Sequence, residues 1–228
     1  KKNTNIVFFT SSQDEYSCHG GIYDQTIYTN QKESLYKITS SFKKKYKDNK
    51  NYCLYIRCHP YLEKVFWKYN SDIFKLHEPQ KNIYVIKPAS KISSYKLLMN
   101  ADKVISYNSL MGIEAVYWGK SSILLGRRPY ENLDVVYKPK NHLDVMRLIF
   151  KKNLKPKKKL GAIKYASFWV EGGFTLPNFS GSMDKGYKFK KNFLKIRGLS
   201  KFFYYSAKII QYYFYNYLIN YKFKKLFK

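Results

Sequence analysis

The stretch Lys103-Val104-Ile105-Ser106-Tyr107-Asn108-Ser109-Leu110-Met111-Gly112-Ile113-Glu114-Ala115-Val116-Tyr117-Trp118-Gly119-Lys120-Ser121-Ser122-Ile123-Leu124-Leu125 reads as strand, tight loop, short helix, strand. Two apolar runs, 103–106 and 121–125, flank the loop and the short helix. Ser109 offers a hydroxyl, and the loop offers backbone N–H groups that suit a phosphate at the start of a helix. Glu114, on the first turns of that helix, can accept two hydrogen bonds from a ribose diol. The arrangement suggests a nucleotide-sugar site. The same residues also read as an ordinary strand, loop and helix with Glu114 solvated, because short motifs recur by chance.

Outward from this stretch, residues 6–150 alternate between strand and helix patterns. Ile6-Val7-Phe8-Phe9-Thr10 reads as a buried strand, and Leu35, Ile38, Phe42 and Tyr46 recur at helical spacing over roughly 31–47. Tyr52 to Arg57 and Ile83 to Ile86 read as two further strands, the latter ended by Lys87-Pro88. Ser93 to Asn100 reads as a short helix with a Ser cap, and Leu143 to Phe150 as a closing helix. This order predicts an α/β domain built on a doubly wound parallel sheet, Rossmann-like, over residues 1–150. Ligands of such sheets sit beyond the C-terminal ends of the strands, where all the polar loops singled out here fall.

Three more loops carry candidate chemistry. Arg57-Cys58-His59-Pro60 follows a strand directly, and the proline stiffens the turn. His59 can then donate to a phosphate, and Arg57 offers a fork to the same anion or to a nearby carboxylate. The alternative is that His59 caps the turn and Arg57 snorkels. Ser93-Ser94 opens its helix with free N–H groups, which suit a nucleobase or phosphate as well as a plain cap. Ser11 and Ser12, at the end of the first strand, form a weaker hydroxyl-rich candidate.

Composition limits the function classes. The chain of 228 residues is 45% hydrophobic and 19% aromatic, which excludes wholesale disorder. Its net charge is +28, from 43 basic and 15 acidic residues. Lys, Asn, Ile, Tyr and Phe share A/T-rich codons, so genome bias weakens any step from basicity to nucleic acid. Cys18, Cys53 and Cys58 lack metal-ligand spacing, and Cys53 and Cys58 fall on opposite faces of one strand. Reduced thiols in a cytoplasmic protein are expected. The chain starts with Lys1-Lys2-Asn3 directly before a strand, and the N-terminal part of a longer protein is expected to precede it.

Taken in order, Ile-Arg-Cys-His-Pro (56–60), Lys-Pro (87–88), Ser-Ser-Tyr-Lys-Leu-Leu (93–98), Asn-Ser-Leu-Met-Gly-Ile-Glu-Ala (108–115), Trp-Gly-Lys (118–120) and Leu-Leu-Gly-Arg-Arg-Pro-Tyr (124–130) resemble bacterial capsular and surface polysaccharide glycosyltransferases. The Ser-Leu-Met-Gly-x-Glu-Ala element resembles that of capsule Kdo transferases. The likeness covers residues 6–150 and corresponds to the C-terminal, donor-binding half of a GT-B enzyme. It implies a CMP- or UDP-linked sugar donor as substrate and no separate cofactor. It places His59 and Ser109 near the donor phosphates, Glu114 near the ribose, and Ser93 and Ser94 by the nucleotide. Arg57 and Gly112 complete that donor-binding set. No Asp-x-Asp metal motif is present, in keeping with metal-independent chemistry, and His59 is the candidate for stabilising the leaving phosphate.

The rest of the chain differs in character. Residues 151–184 read as a basic linker and an irregular packing segment. Residues 185–228 hold 12 basic residues, no acidic ones and 15 aromatics. Leu199, Phe202, Phe203, Ile210, Tyr213, Phe214, Tyr217, Leu218 and Tyr221 fall largely on one helical face. Lys208, Gln211, Asn216 and Asn220 interrupt any membrane span, so an interfacial helix on an anionic membrane is expected. Packing on another domain ranks second and nucleic acid last. The expected function is sugar transfer to a capsular or other surface polysaccharide, with a lipid-linked or polysaccharide acceptor. The expected location is the inner face of the cytoplasmic membrane. The alternatives are a non-catalytic basic membrane- or nucleic-acid-binding module, and a nucleotide-sugar epimerase.

Overall fold

The computed structural model describes residues 3–12, 27–45, 50–64, 72–171 and the strand segments 179–182, 186–189 and 192–193. It forms two units, residues 1–172 and 173–228. The first holds strands β1 (Thr4–Phe9), β2 (Tyr52–Arg57), β3 (Ile83–Ile86), β4 (Lys103–Ser106) and β5 (Ser121–Leu124). They form one sheet in the order β3-β2-β1-β4-β5, with every neighbouring pair parallel. This is the doubly wound, Rossmann-like arrangement expected from the sequence. The chain leaves β1 towards β2 on one side and returns to β4 on the other, so the order reverses between β1 and β4.

Side chains of β1 alternate between two cores, as the period of two requires. Ile6 and Phe8 pack with Leu35, Ile38 and Phe42 of α1 (Gln31–Lys45) and with Val145, Met146 and Ile149 of α4 (His142–Phe150). Val7 and Phe9 pack with Leu98 of α2 (Ser94–Asn100) and Ala115 of α3 (Met111–Tyr117). Both faces of the sheet are therefore covered, which is why its strands read as near-continuous apolar runs. Asn141 caps α4 by accepting from the Asp144 N–H at 2.9 Å. Cys53 and Cys58 are free and buried, and burial pushes the Cys58 thiol up to about 12, far from a reactive thiolate.

One helix departs from the expected basic linker and irregular segment. Residues Leu160–Glu171 form α5, and Ala162 and Tyr165 join a third core with Ile113, Val116, Leu124, Tyr130, Val135 and Val136. Gly161 makes this docking possible, because a Cβ there would meet Val135 and the Leu133 carbonyl. The first unit thus extends past residue 150 because α5 completes its core. In the second unit, β6 (Phe179–Ser182), β7 (Gly186–Phe189) and β8 (Asn192–Phe193) form an antiparallel sheet. Residues 186–189 and 192–193, at the start of a tail expected to be helical, are therefore strands. The apolar stripe from Leu199 to Tyr221 lies outside the described residues, as does Cys18.

Candidate functional site

A cavity of about 310 Å³ opens beyond the C-terminal ends of β1, β2 and β4, where the strand order reverses. Such a switch point leaves a crevice, because helices on either side of it lie on opposite faces of the sheet. The lining brings together Ser11 after β1, Arg57 and His59 at the end of β2, Ser94 on α2, and Ser109 and Glu114 around α3. The other singled-out residues lie elsewhere. Ser12 is fully buried and is not part of the lining, and Ser93 is exposed at the start of α2 without a side-chain capping bond. Gly112 is a packing residue: a Cβ on it would run into the Ser106 and Tyr130 hydroxyls, so glycine lets α3 lie close over β4.

Each loop is fixed by bonds that leave particular atoms for a ligand. Gln31 clamps the backbone of Ser11, accepting from its N–H at 2.7 Å and donating to its carbonyl at 3.1 Å. The Ser11 hydroxyl donates to the Tyr107 carbonyl, which ties the β1 loop to the β4 loop. The His59 N–H donates to Thr10 Oγ1 at 2.9 Å and ties β2 to β1. The Tyr61 N–H donates to His59 Nδ1 at 3.3 Å, which assigns the ring proton to Nε2 and makes Nε2–H a donor. The Tyr130 phenol, fully buried, donates to the Ser109 carbonyl at 2.5 Å and fixes the α3 loop.

The first N–H groups of α3 are mostly used internally. Ser109 Oγ accepts from the Met111 N–H at 3.3 Å, and the Gly112 and Ile113 N–H groups reach the Ser109 and Leu110 carbonyls. Side-chain donors therefore matter more here than the loop backbone. Arg57 is 4% exposed, and burial pulls its guanidinium pKa below the ordinary range. Its Nη1 donates to the Lys87 carbonyl at 2.6 Å and its Nη2 to the Ser90 carbonyl at 3.5 Å, holding the loop after β3. Glu114 is half-buried, and the Tyr95 hydroxyl hydrogen-bonds to its carboxylate, which raises the phenol pKa.

The lining also contains Thr10, Asn108 and Arg128, which were not among the candidate ligand contacts. Arg128 belongs to the pair Arg127-Arg128 that follows β5: Arg127 pairs with Glu131 at 3.0 Å, and Arg128 is part of the cavity lining. Asn108 has a visible signal, since Asn is the residue that tolerates the left-handed backbone after a strand, and its φ is 50°. Among the described residues no group of three His, Cys, Asp or Glu side chains could hold a metal, and no helix is long and apolar enough to cross a membrane.

No curated protein matches the chain. An S. aureus MnaA–UDP co-structure aligns at 10% identity and TM-score 0.46, over 74% of this chain and 47% of that one. UDP-GlcNAc 2-epimerase from Neisseria meningitidis, bound to UDP-GlcNAc, aligns at 16% identity and TM-score 0.41, over 74% of this chain and 37% of that one. KpsC from Thermosulfurimonas dismutans, a beta Kdo 2,7 transferase, aligns at 15% identity and TM-score 0.40, over 74% of this chain and 56% of that one. The chain spans about half the length of these proteins. Residues 19–160, more than half of the chain, match the family model for capsule polysaccharide biosynthesis proteins, and the chain belongs to that family.

Proposed function

We propose that the cavity binds the nucleotide of a CMP- or UDP-linked sugar, and that the protein transfers this sugar to a capsular or other surface polysaccharide as a metal-independent glycosyltransferase. The first unit then acts as the donor-binding half of a GT-B enzyme. The observation that carries this reading is the convergence of complementary groups at the switch point. Glu114 presents a buried carboxylate oxygen, Oε2, with no hydrogen-bond partner among the described residues, while Arg57, His59, Ser109 and Arg128 line the same cavity as donors. A ribose diol suits the first and a phosphate suits the second. In the transfer step an acceptor hydroxyl oxygen bonds to the anomeric carbon, and the bond from that carbon to the phosphate oxygen breaks. The bonding pair stays with the departing nucleotide phosphate, and the acceptor hydroxyl gives up its proton to water as the new bond forms. His59 Nε2–H and the Arg128 guanidinium stabilise the charge that develops on that phosphate. No further cofactor is required, because the nucleotide-sugar is a substrate.

Calorimetry with CMP and UDP on Glu114→Gln and Glu114→Ala tests the donor site. Losing the diol bonds is expected to weaken binding by about 1.5–3 kcal/mol. Unchanged affinity in both variants rejects the assignment. The membrane partner is assigned to residues 185–228, on the strength of their basic and aromatic composition. The full chain is expected to float with anionic vesicles and to lose part of that binding in high salt, since only the electrostatic share is screened. Flotation indifferent to both salt and lipid charge contradicts it.

A further inference from the structure

Buried polar groups in folded proteins are almost always paired, so unpaired ones gathered at one place call for an explanation. Around this cavity Arg57 Nε, Glu114 Oε2 and both carboxamide atoms of Asn108 are buried with no hydrogen-bond partner among the described residues. Arg57 Nε can only donate, and Glu114 Oε2, as carboxylate, can only accept. Asn108 alone in this set does both. It is 2% exposed and sits two residues beyond β4, next to the β1 loop, at the point where the strand order reverses. Its backbone is left-handed, with φ of 50°. An unpaired buried carboxamide and a left-handed non-glycine residue each cost stability, so both persist where something else fixes them.

We propose that Asn108 is a ligand-contact residue of this cavity, whose carboxamide is paired by a vicinal diol of the bound nucleotide-sugar. The inference rests on the nucleotide-sugar reading and adds a residue and a chemical class to it. A phosphate at neutral pH offers acceptors only and leaves Asn108 Oδ1 unpaired. A vicinal diol satisfies both atoms: one hydroxyl donates to Oδ1 and the other accepts from Nδ2. A ribose diol would divide its two protons, one hydroxyl donating to Asn108 Oδ1 and the other accepting from Nδ2 while donating to Glu114. A diol of the transferred sugar leaves both ribose hydroxyls to Glu114, and the two sources are separable by choice of probe.

Two variants of the full chain keep the backbone. Asn108→Gly removes the carboxamide at a position where glycine is unstrained. Asn108→Asp keeps the shape and one acceptor but replaces the donor with charge. Melting of the free chain and calorimetry with pyrophosphate, uridine, cytidine, UDP, CMP and UDP-GlcNAc are measured for each. The free Asn108→Gly chain is expected to melt no lower than the parent, because no bond is lost. Its affinity for the diol-bearing ligand falls about tenfold, the loss expected for two neutral hydrogen bonds, while pyrophosphate affinity is unchanged. Loss already seen with uridine or cytidine assigns the diol to the ribose, and loss confined to UDP-GlcNAc assigns it to the transferred sugar. Asn108→Asp binds nucleotides more weakly still, through repulsion of the phosphates. Equal affinities in parent and variants, or a matching loss for pyrophosphate, overturn the proposal. So does a clear drop in melting temperature with affinities unchanged, which makes the carboxamide structural. A parent chain that binds none of these probes removes the nucleotide-sugar reading together with this one. A parent that binds them with variants that bind equally well removes this one alone.

Discussion

At the N-terminal end of the sheet, Lys103 Nζ donates to the carbonyls of Leu148, Ile149 and Lys151 at 3.3, 2.5 and 2.6 Å, although its residue is 3% exposed. At the C-terminal end of the same strands, Arg57 Nε, Asn108 and Glu114 Oε2 are as deeply placed and unpaired. The contrast extends to neighbouring groups. Below the sheet, Asp102 accepts from the Asn5 N–H at 2.7 Å, Asn5 reaches the Asn100 carbonyl at 3.2 Å, and Ser121 reaches the Leu154 carbonyl at 2.6 Å. Above it, the bonds formed by Gln31, Thr10 and Tyr130 fix backbone and leave the side chains of the lining facing an opening. One end is closed by its own hydrogen bonds, and the other is held open by them. Ser122 Oγ on β5 is a further unpartnered atom outside the cavity, and nothing in the structure explains it.

The largest effect that separates the two ends is expected from Lys103→Met. It keeps the length of the side chain but leaves three carbonyls without their shared donor. The expected loss is about 2–3 kcal/mol of unfolding free energy in denaturant titrations. Nucleotide affinity should not change, since Lys103 stands at the opposite end of β4 from the cavity. The pH dependence sharpens the test. Burial pulls the Lys103 ammonium down from 10.5 to about 8. Between about pH 8 and 10.5 the unfolded chain therefore binds more protons than the folded one, so this group adds stability as pH rises through that window. The stability gap between parent and Lys103→Met should widen from pH 8 to pH 10. A constant gap, or one that narrows, removes Lys103 as the titrating group.

The fold was legible because both faces of the sheet are covered. That coverage writes Ile6-Val7-Phe8-Phe9 and Lys103-Val104-Ile105-Ser106 as apolar runs, and the amphipathic spacing of Leu35, Ile38 and Phe42 marks the helix between the first two strands. Helix α5 was not legible for the converse reason. Leu160-Gly161-Ala162-Ile163-Lys164-Tyr165-Ala166-Ser167-Phe168-Trp169-Val170-Glu171 is apolar nearly all round, so no stripe stands out, and Gly161 argues against a helix unless its close contact with Leu133 and Val135 is known. In the site, residues that end strands were visible from order alone: Ser11, Arg57, His59 and Ser109. Ser93 and Ser94 could not be told apart by sequence, since which of two adjacent hydroxyls faces a crevice depends on the helix phase. Gly112 looked like part of a ligand loop, yet its lack of a side chain serves the packing of α3 against Ser106 and Tyr130. Asn108 was hidden because its meaning lies in burial without a protein partner, which depends on how the folded chain surrounds it.

The smaller expected effect falls on the open end and on ligand alone. His59 is oriented by two backbone bonds, its own N–H to Thr10 and the Tyr61 N–H to its Nδ1, so the ring is held without help from any charged neighbour in those contacts. Removing the imidazole should therefore disturb the fold little. What it removes is the Nε2–H donor. A hydrogen bond to a charged phosphate contributes about 1.5 kcal/mol, which is roughly tenfold in affinity. His59→Ala is expected to weaken CMP and UDP by about that factor and to leave cytidine and uridine unchanged, because the ring is assigned to the phosphate. In the whole enzyme the loss in transfer rate should exceed the loss in donor affinity, since the charge on the leaving phosphate grows in the transition state. Calorimetry on the nucleoside and nucleotide pairs, beside denaturant melts of the same samples, decides between the outcomes. If nucleosides and nucleotides weaken together, His59 contacts the base or ribose. If unfolding free energy falls while every affinity holds, His59 belongs with the groups that close the fold, and the contrast between the two ends of the sheet loses its best-placed donor.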